Sequence, residues 1–177
     1  MKYVAFLRGI NVGGITLKME DVKTIFSGLG FKNVTTYIQS GNIIFDSSET
    51  DKALLERKIH ESITAKANLD IAVFVKTKEQ IQSIVSNSPL GKKMDEKRIY
   101  VTMLSTAPAG GKLAGIKAIN SADEKFMLIK DVIFSFYGNG YGKSKYTNNY
   151  FEKSLGASAT TRNRSSITKI LDIMNAG

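Results

Sequence analysis

Short apolar runs alternate with amphipathic stretches along the whole chain, and this alternation predicts a mixed α+β protein. Tyr3 to Arg8 is rich in β-formers and predicts a strand, broken by Asn11-Val12-Gly13-Gly14. Met19, Val22, Ile25, Phe26 and Leu29 then fall on one helical stripe. Thr16 is placed to cap that helix, and Gly30 stands where a left-handed C-terminal residue belongs. Val34 to Gln39 and Ile43 to Phe45 predict two strands around Ser40-Gly41-Asn42. Asp51 to Ala67 is the clearest helix, with Leu55, Ile59, Ser62 and Ile63 on one face, and Ile71 to Val75 is a continuous apolar strand. The first half therefore reads β-α-β-β-α-β, the order of a ferredoxin-like split unit.

Thr77-Lys78-Glu79-Gln80 has the form of a capping box and predicts a short helix carrying Ile81, Ile84 and Val85. Pro89 and Gly91 end it and mark a boundary. Beyond it, Ile99 to Leu104 predicts a strand, Pro108 to Asn120 a weak helix anchored by Leu113 and Ile116, and Phe126 to Ile129 with Val132 to Tyr137 a hairpin around Lys130-Asp131. Tyr146 to Leu155 predicts a helix. A last helix carries Ile167, Ile170, Leu171 and Met174 on one stripe. This half repeats β-α-β-β-α but finishes on a helix instead of a fourth strand. The expected architecture is α+β, with two ferredoxin-like halves in tandem, residues 1–88 and 89–177, forming one compact unit with an extra C-terminal helix.

Composition narrows the chemistry. The chain has 177 residues, no Cys and one His, which excludes disulfides, thiolate nucleophiles, sulfur-ligated zinc and a two-His metal site. No cofactor is expected. His60 falls on the polar face of the Asp51–Ala67 helix and reads as a solvated surface residue. The start of the chain lacks the form of a secretory signal, and no apolar run approaches the roughly 18 residues of a membrane span, so a cytoplasmic protein with no membrane partner is expected. The formal charge of +9 is unevenly placed. Residues 1–88 hold 11 basic against 9 acidic groups (+2), and residues 89–177 hold 14 against 7 (+7). Such a surplus attracts anions.

Three polar loops stand where that charge and the glycines concentrate. The first runs from Arg8 to Gly14, without the glycine spacing of a dinucleotide fingerprint. The second, Tyr137-Gly138-Asn139-Gly140-Tyr141-Gly142-Lys143-Ser144-Lys145, misses the phosphate-loop register by one residue, because Tyr137 stands where that motif needs glycine. A looser anion-binding turn using backbone N–H groups with Lys143 and Lys145 fits it better. The third, Thr160 to Ser166, reads as the start of the last helix, where hydroxyls cap and two arginines flank an anion site. Ser40 to Phe45 lacks the aromatic pattern of an RNA-recognition strand, and Phe134 and Phe136 read as core.

Four ordered segments carry a family resemblance. Leu7-Arg8-Gly9-Ile10-Asn11-Val12-Gly13-Gly14, Thr36 to Phe45, Tyr141-Gly142-Lys143-Ser144-Lys145 and Thr161-Arg162-Asn163 together resemble the blocks of the bacterial domain-of-unknown-function 1697 family. The chain departs from that pattern at Arg164, where the family usually carries Trp, and at Ser165, where it usually carries Asn. The resemblance implies two ferredoxin-like lobes and no established activity.

The expected function is binding of an anionic ligand, either a phosphate-containing small molecule or nucleic acid. Its expected binding residues are Arg8, Asn11, Gln39, Ser40, Asn42, Lys143, Ser144, Lys145, Thr161, Arg162 and Asn163. The cations would hold phosphate, and the amides would orient the ligand as donor and acceptor. The alternatives are a small hydrolase or transferase working through the same loops without cysteine, and an interaction module pairing through a sheet edge.

Overall fold

The structure is a computed structural model and describes residues 1–11, 15–90, 94–110, 116 and 119–176. The expected helix over Pro108 to Asn120, with Leu113, lies largely outside the described residues, as do Val12, Gly13, Gly14 and Gly91. The chain forms two compact units, one of residues 1–82 and 170–177, the other of residues 83–169.

The first unit is built on strands β1 (Lys2–Leu7), β2 (Lys32–Tyr37), β3 (Asn42–Asp46) and β4 (Val73–Thr77), in the order β2-β3-β1-β4 with every neighbour antiparallel. β1 and β3 are central, which is why Tyr3–Leu7 and Ile43–Phe45 are continuous apolar runs rather than alternating ones: both faces are buried. Helices α1 (Met19–Gly28) and α2 (Lys52–Ala67) cover one face. Met19, Val22, Ile25 and Phe26 of α1 and Leu55, Ile59 and Ile63 of α2 are the buried stripes that the periodicity predicts. Asp51 caps α2 by accepting from the Ala53 and Leu54 N–H groups at 2.9 and 3.3 Å. Thr16 does not cap α1. Lys18 holds the N-cap position in extended backbone, because the Asn11 side chain clamps both backbone groups of Leu17 and keeps that segment straight.

Helix α3 (Lys78–Ser86) opens on the predicted capping box. The Thr77 N–H donates to Gln80 Oε1 at 3.0 Å, and the Gln80 N–H donates to Thr77 Oγ1 at 3.3 Å.

The second unit contains β5 (Ile99–Leu104), β6 (Glu124–Ile129), β7 (Val132–Tyr137) and β8 (Ala159–Asn163), in the order β6-β7-β5-β8, again all antiparallel. Helix α4 (Asn148–Leu155) packs Phe151 and Leu155 onto one face, beside Phe126, Ile133 and Tyr137. Helix α5 (Arg164–Ala176) follows β8, with Ile167, Ile170, Leu171 and Met174 buried. β8 corrects the expectation that this half ends without a fourth strand. Its residues read as a polar loop, yet their backbone pairs with β5 from Leu104↔Ala159 to Tyr100↔Asn163, and Thr102 and Thr161 share a hydroxyl hydrogen bond of 2.7 Å. Ladder bonding and β-branched threonines outweigh the polar composition here.

Side chains bond a backbone group on three of the four outer strands. On edge strand β4 the Val75 N–H donates to Glu56 Oε1 at 2.7 Å, and on edge strand β8 the Ala159 N–H donates to Glu152 Oε1 at 2.8 Å. On β6, Asn120 Oδ1 accepts from the Phe126 N–H at 2.6 Å and its amide donates back to the Phe126 carbonyl at 3.4 Å. β2 carries a register shift between Lys32 and Thr35, with Asn33 left-handed. These are the devices by which edge strands are kept from pairing further.

Burial raises the Glu56 carboxyl above its ordinary range, against the opposing pull of the Val75 N–H and the nearby Lys76 and Lys52. A raised carboxyl holds its proton more tightly in the folded chain. The ionised form therefore lowers stability as pH rises from the acid range to neutrality. Glu56→Gln keeps an oxygen for Val75 and removes the charge. Thermal unfolding is expected to show the Gln variant more stable than the parent at pH 7, with the difference shrinking towards pH 4.

Candidate functional site

The β6–β7 hairpin places two distant stretches side by side. Pairing runs outward from the Lys130-Asp131 turn until Glu124 faces Tyr137. One step further, the Gly138 N–H donates to the Asp123 carbonyl at 2.6 Å. A β-carbon on Gly138 would lie 2.7 Å from that carbonyl oxygen, so only glycine allows this approach. The segment before β6 and the loop after β7 thereby become the two walls of a polar cleft of about 330 Å³, lined by Ser121, Asp123 and Glu124 on one side and Asn139, Gly140, Lys143, Ser144 and Lys145 on the other.

The β7–α4 loop is held by its own tyrosines. Tyr141 stacks on Tyr100 at 5.0 Å and meets Tyr137 edge-on at 5.2 Å. The Tyr137 hydroxyl donates to the Tyr146 carbonyl at 2.8 Å, and burial raises its pKa far above the ordinary tyrosine value, so it stays protonated. Lys145 Nζ lies 5.2 Å from the Tyr146 ring centroid, which steers the ammonium. Ser144 Oγ accepts from the Tyr146 N–H at 3.0 Å.

The backbone nest expected in this loop is not formed by Gly138, Gly140, Lys143 or Ser144. Their N–H groups donate to the carbonyls of Asp123, Tyr137, Gly140 and Tyr141. The 3₁₀ turn Tyr141–Lys143 occupies the Lys143 and Ser144 donors, and the cations Lys143 and Lys145 are left as exposed positive groups of the cleft.

The other expected binding residues are not among those lining the cleft, and several are engaged in hydrogen bonds of the fold. Arg162 sits in β8, not at a helix start, and is buried, with its guanidinium donating to Thr160 Oγ1 at 2.9 Å and the Thr161 carbonyl at 2.8 Å. Burial lowers its pKa to about 10, which leaves it charged at neutral pH. Thr161 faces the opposite side of the strand, bonded to Thr102 and, at 2.6 Å, to Asn148. Asn163 caps α5, accepting from the Ser165 N–H at 2.9 Å, while its amide donates to the Lys97 carbonyl at 2.8 Å.

In the first unit, the β1 exit and the β2–β3 turn do meet. Asn11 donates to the Gln39 carbonyl at 2.7 Å and the Leu17 carbonyl at 3.0 Å, and accepts from the Leu17 N–H at 2.9 Å. Asn42 is fully buried, donating to the Tyr37 carbonyl and Ser40 Oγ at 3.0 Å each. Arg8 and Ser40 are half-buried, and Gln39 is exposed. His60, read as a solvated residue, is half-exposed and structural: Nδ1 is 2.9 Å from the Ile71 carbonyl and Nε2 is 3.5 Å from Asp70. Among the described residues no cluster of three or more His, Asp or Glu side chains is placed to hold a metal ion.

These features define an α+β protein of two four-stranded antiparallel sheets with a polar cleft at a hairpin end. Residues 1–134 match the family described as protein of unknown function (DUF1697), and the chain belongs to that family. The blocks at Tyr141–Lys145 and Thr161–Asn163 lie beyond the matched residues. The fold is similar to that of a solved conserved bacterial protein from Streptococcus pneumoniae, with a TM-score of 0.76, 23% identity and 97% of each chain covered. No curated protein matches the chain. Among the described residues no helix is long and apolar enough to cross a membrane.

Proposed function

We propose that this protein binds a small phosphate-bearing molecule in the cleft between Asp123-Glu124 and Lys143-Ser144-Lys145. The observation that carries the reading is the pair of exposed lysines on one wall of the polar cleft, with neither lysine in an ion pair among the described residues. Lys143 and Lys145 neutralise the phosphate, and the Ser144 hydroxyl and Asn139 amide supply directional hydrogen bonds. Arg162, Thr161, Asn163, Asn11 and Asn42 support the scaffold. Arg8, Gln39 and Ser40 belong to the first unit. The cleft carries carboxylates as well as cations, which favours a small ligand over nucleic acid, a polyanion that the carboxylates repel.

Each unit, on this reading, is one ferredoxin-like split module, and the strand orders β2-β3-β1-β4 and β6-β7-β5-β8 support that. The setting is cytoplasmic, where phosphorylated metabolites are plentiful.

Thermal unfolding with inorganic phosphate or pyrophosphate tests the proposal. A ligand that binds only the folded chain stabilises it by about 2.7 kcal/mol at a hundredfold excess over Kd. The double variant Lys143→Gln/Lys145→Gln is expected to lose that stabilisation while unfolding at the parent temperature without ligand. Equal stabilisation of parent and variant would overturn the assignment. A single-stranded oligonucleotide whose binding falls steeply with salt would transfer it to nucleic acid.

A further inference from the structure

We infer that the ligand of this cleft is a phosphorylated amino sugar, a monosaccharide with phosphate at one end and an ammonium with hydroxyls at the other. The inference rests on the phosphate-binding reading above and names its substrate class.

The walls have opposite polarity. Asp123 and Glu124 present acceptors, and Lys143 and Lys145 present donors, with the Ser121 and Ser144 hydroxyls each already accepting a backbone N–H and left to donate. Both walls are fixed by the β6–β7 pairing and the Gly138–Asp123 contact, and the lysine-bearing loop is braced by the tyrosine stack. Among the described residues no ion pair within 4.0 Å joins the carboxylates to the lysines. The cleft therefore keeps two unneutralised charges of each sign facing a space that a ligand can enter.

Bare phosphate satisfies only the lysine wall and meets repulsion from the carboxylates. A ligand that complements both walls carries an anion and, a few ångströms away, a cation or several hydroxyl donors. Hydrogen bonds to charged groups are the stronger ones, so an ammonium facing Asp123 and Glu124 gains more than a hydroxyl there.

Size and lining decide between a sugar and a nucleotide. About 330 Å³ lies at the lower end of small-molecule sites, about 300–1,000 Å³. Among the described residues no aromatic ring lines the cleft. Tyr137, Tyr141 and Tyr146 pack on Tyr100, Phe126, Tyr150 and one another. A nucleobase would find no stacking platform there, whereas a sugar ring asks only for the hydrogen-bonding groups that are present.

Isothermal titration at low salt tests this with three probes: glucosamine 6-phosphate, glucose 6-phosphate and inorganic phosphate. The amino sugar is expected to bind at least ~10-fold more tightly than either other probe, on the scale of one charge-assisted hydrogen bond. Asp123→Asn/Glu124→Gln is expected to abolish that preference and keep phosphate binding. Lys143→Gln/Lys145→Gln is expected to lose all three ligands. Both variants alter side chains that line the cleft, and circular dichroism is the check that each is folded. If the three probes bind the parent equally and Lys143→Gln/Lys145→Gln loses them, the amino-sugar inference falls and the phosphate reading stands. If none of the three binds the parent, both fall.

Discussion

Phe45→Ala is expected to remove about 3–5 kcal/mol of stability, a large share of the roughly 5–15 kcal/mol that holds a folded domain together. Phe45 is fully buried on β3, directly across from Tyr3 of β1. Its ring lies 4.5 Å from Phe31, 5.4 Å from Phe26 and 5.7 Å from Tyr3, so it joins the central strands to α1 and to Phe31, three residues beyond the helix end. Truncation removes the transfer free energy of the ring and leaves a cavity whose walls come from three different elements and cannot all close in. Urea unfolding followed by tyrosine fluorescence measures the loss as a lower midpoint. Ile129→Ala is the control. Ile129 is as apolar but 42% exposed on edge strand β6, and its change is expected to stay within about 0.5 kcal/mol. Equal losses from the two would mean that burial is not what gives Phe45 its weight.

The second large effect separates backbone strain from lack of room. Gly9 and Gly41 have φ of 70° and 71°, and an L-residue pays the same conformational penalty of about 1 kcal/mol at either. Their surroundings differ. A β-carbon on Gly9 meets nothing within 4 Å, whereas one on Gly41 would lie 2.7 Å from Ile10 Cδ1 and 2.9 Å from Leu7 Cβ. Ile10 can shift its methyl, but Leu7 Cβ is fixed to β1, and the Leu7 N–H donates to the Gly41 carbonyl at 2.8 Å. Overpacking adds about 1–3 kcal/mol to the strain. Gly41→Ala is therefore expected to cost about 2–4 kcal/mol and Gly9→Ala about 1 kcal/mol, read as midpoints in the same denaturant series. Similar costs would show that the β2–β3 turn has slack beside β1.

Periodicity made α1, α2 and α5 legible, because each buries one stripe and hydrophobicity marks it. The Thr77–Gln80 box was legible because reciprocal capping needs only local residues. β8 was not, because Thr160, Thr161 and Arg162 look like loop until β5 is known to lie beside them. The candidate site was half legible. Lys143, Ser144 and Lys145 stood out as charge beside glycine, while Ser121, Asp123 and Glu124 sit some twenty residues away without a motif. Counting outward from the Lys130-Asp131 turn would have brought them together, since hairpin pairing fixes which residues face each other. Asn11, Asn42 and Asn163 were ambiguous for the opposite reason. A side chain with both donor and acceptor suits a ligand, but it suits a loop junction or a helix cap equally well.

The carboxylates of Glu56 and Glu152 and the amide of Asn120 have a consequence for the company this protein can keep. Three of its four outer strands are fastened from within, and the fourth is bent by its own irregularity. A neighbouring chain seeking to pair with β4, β6 or β8 would first have to displace a side chain that also ties the strand to its own unit, and at β2 it would meet the register shift. At the three fastened strands the protein's own side chains thereby compete with any main-chain template.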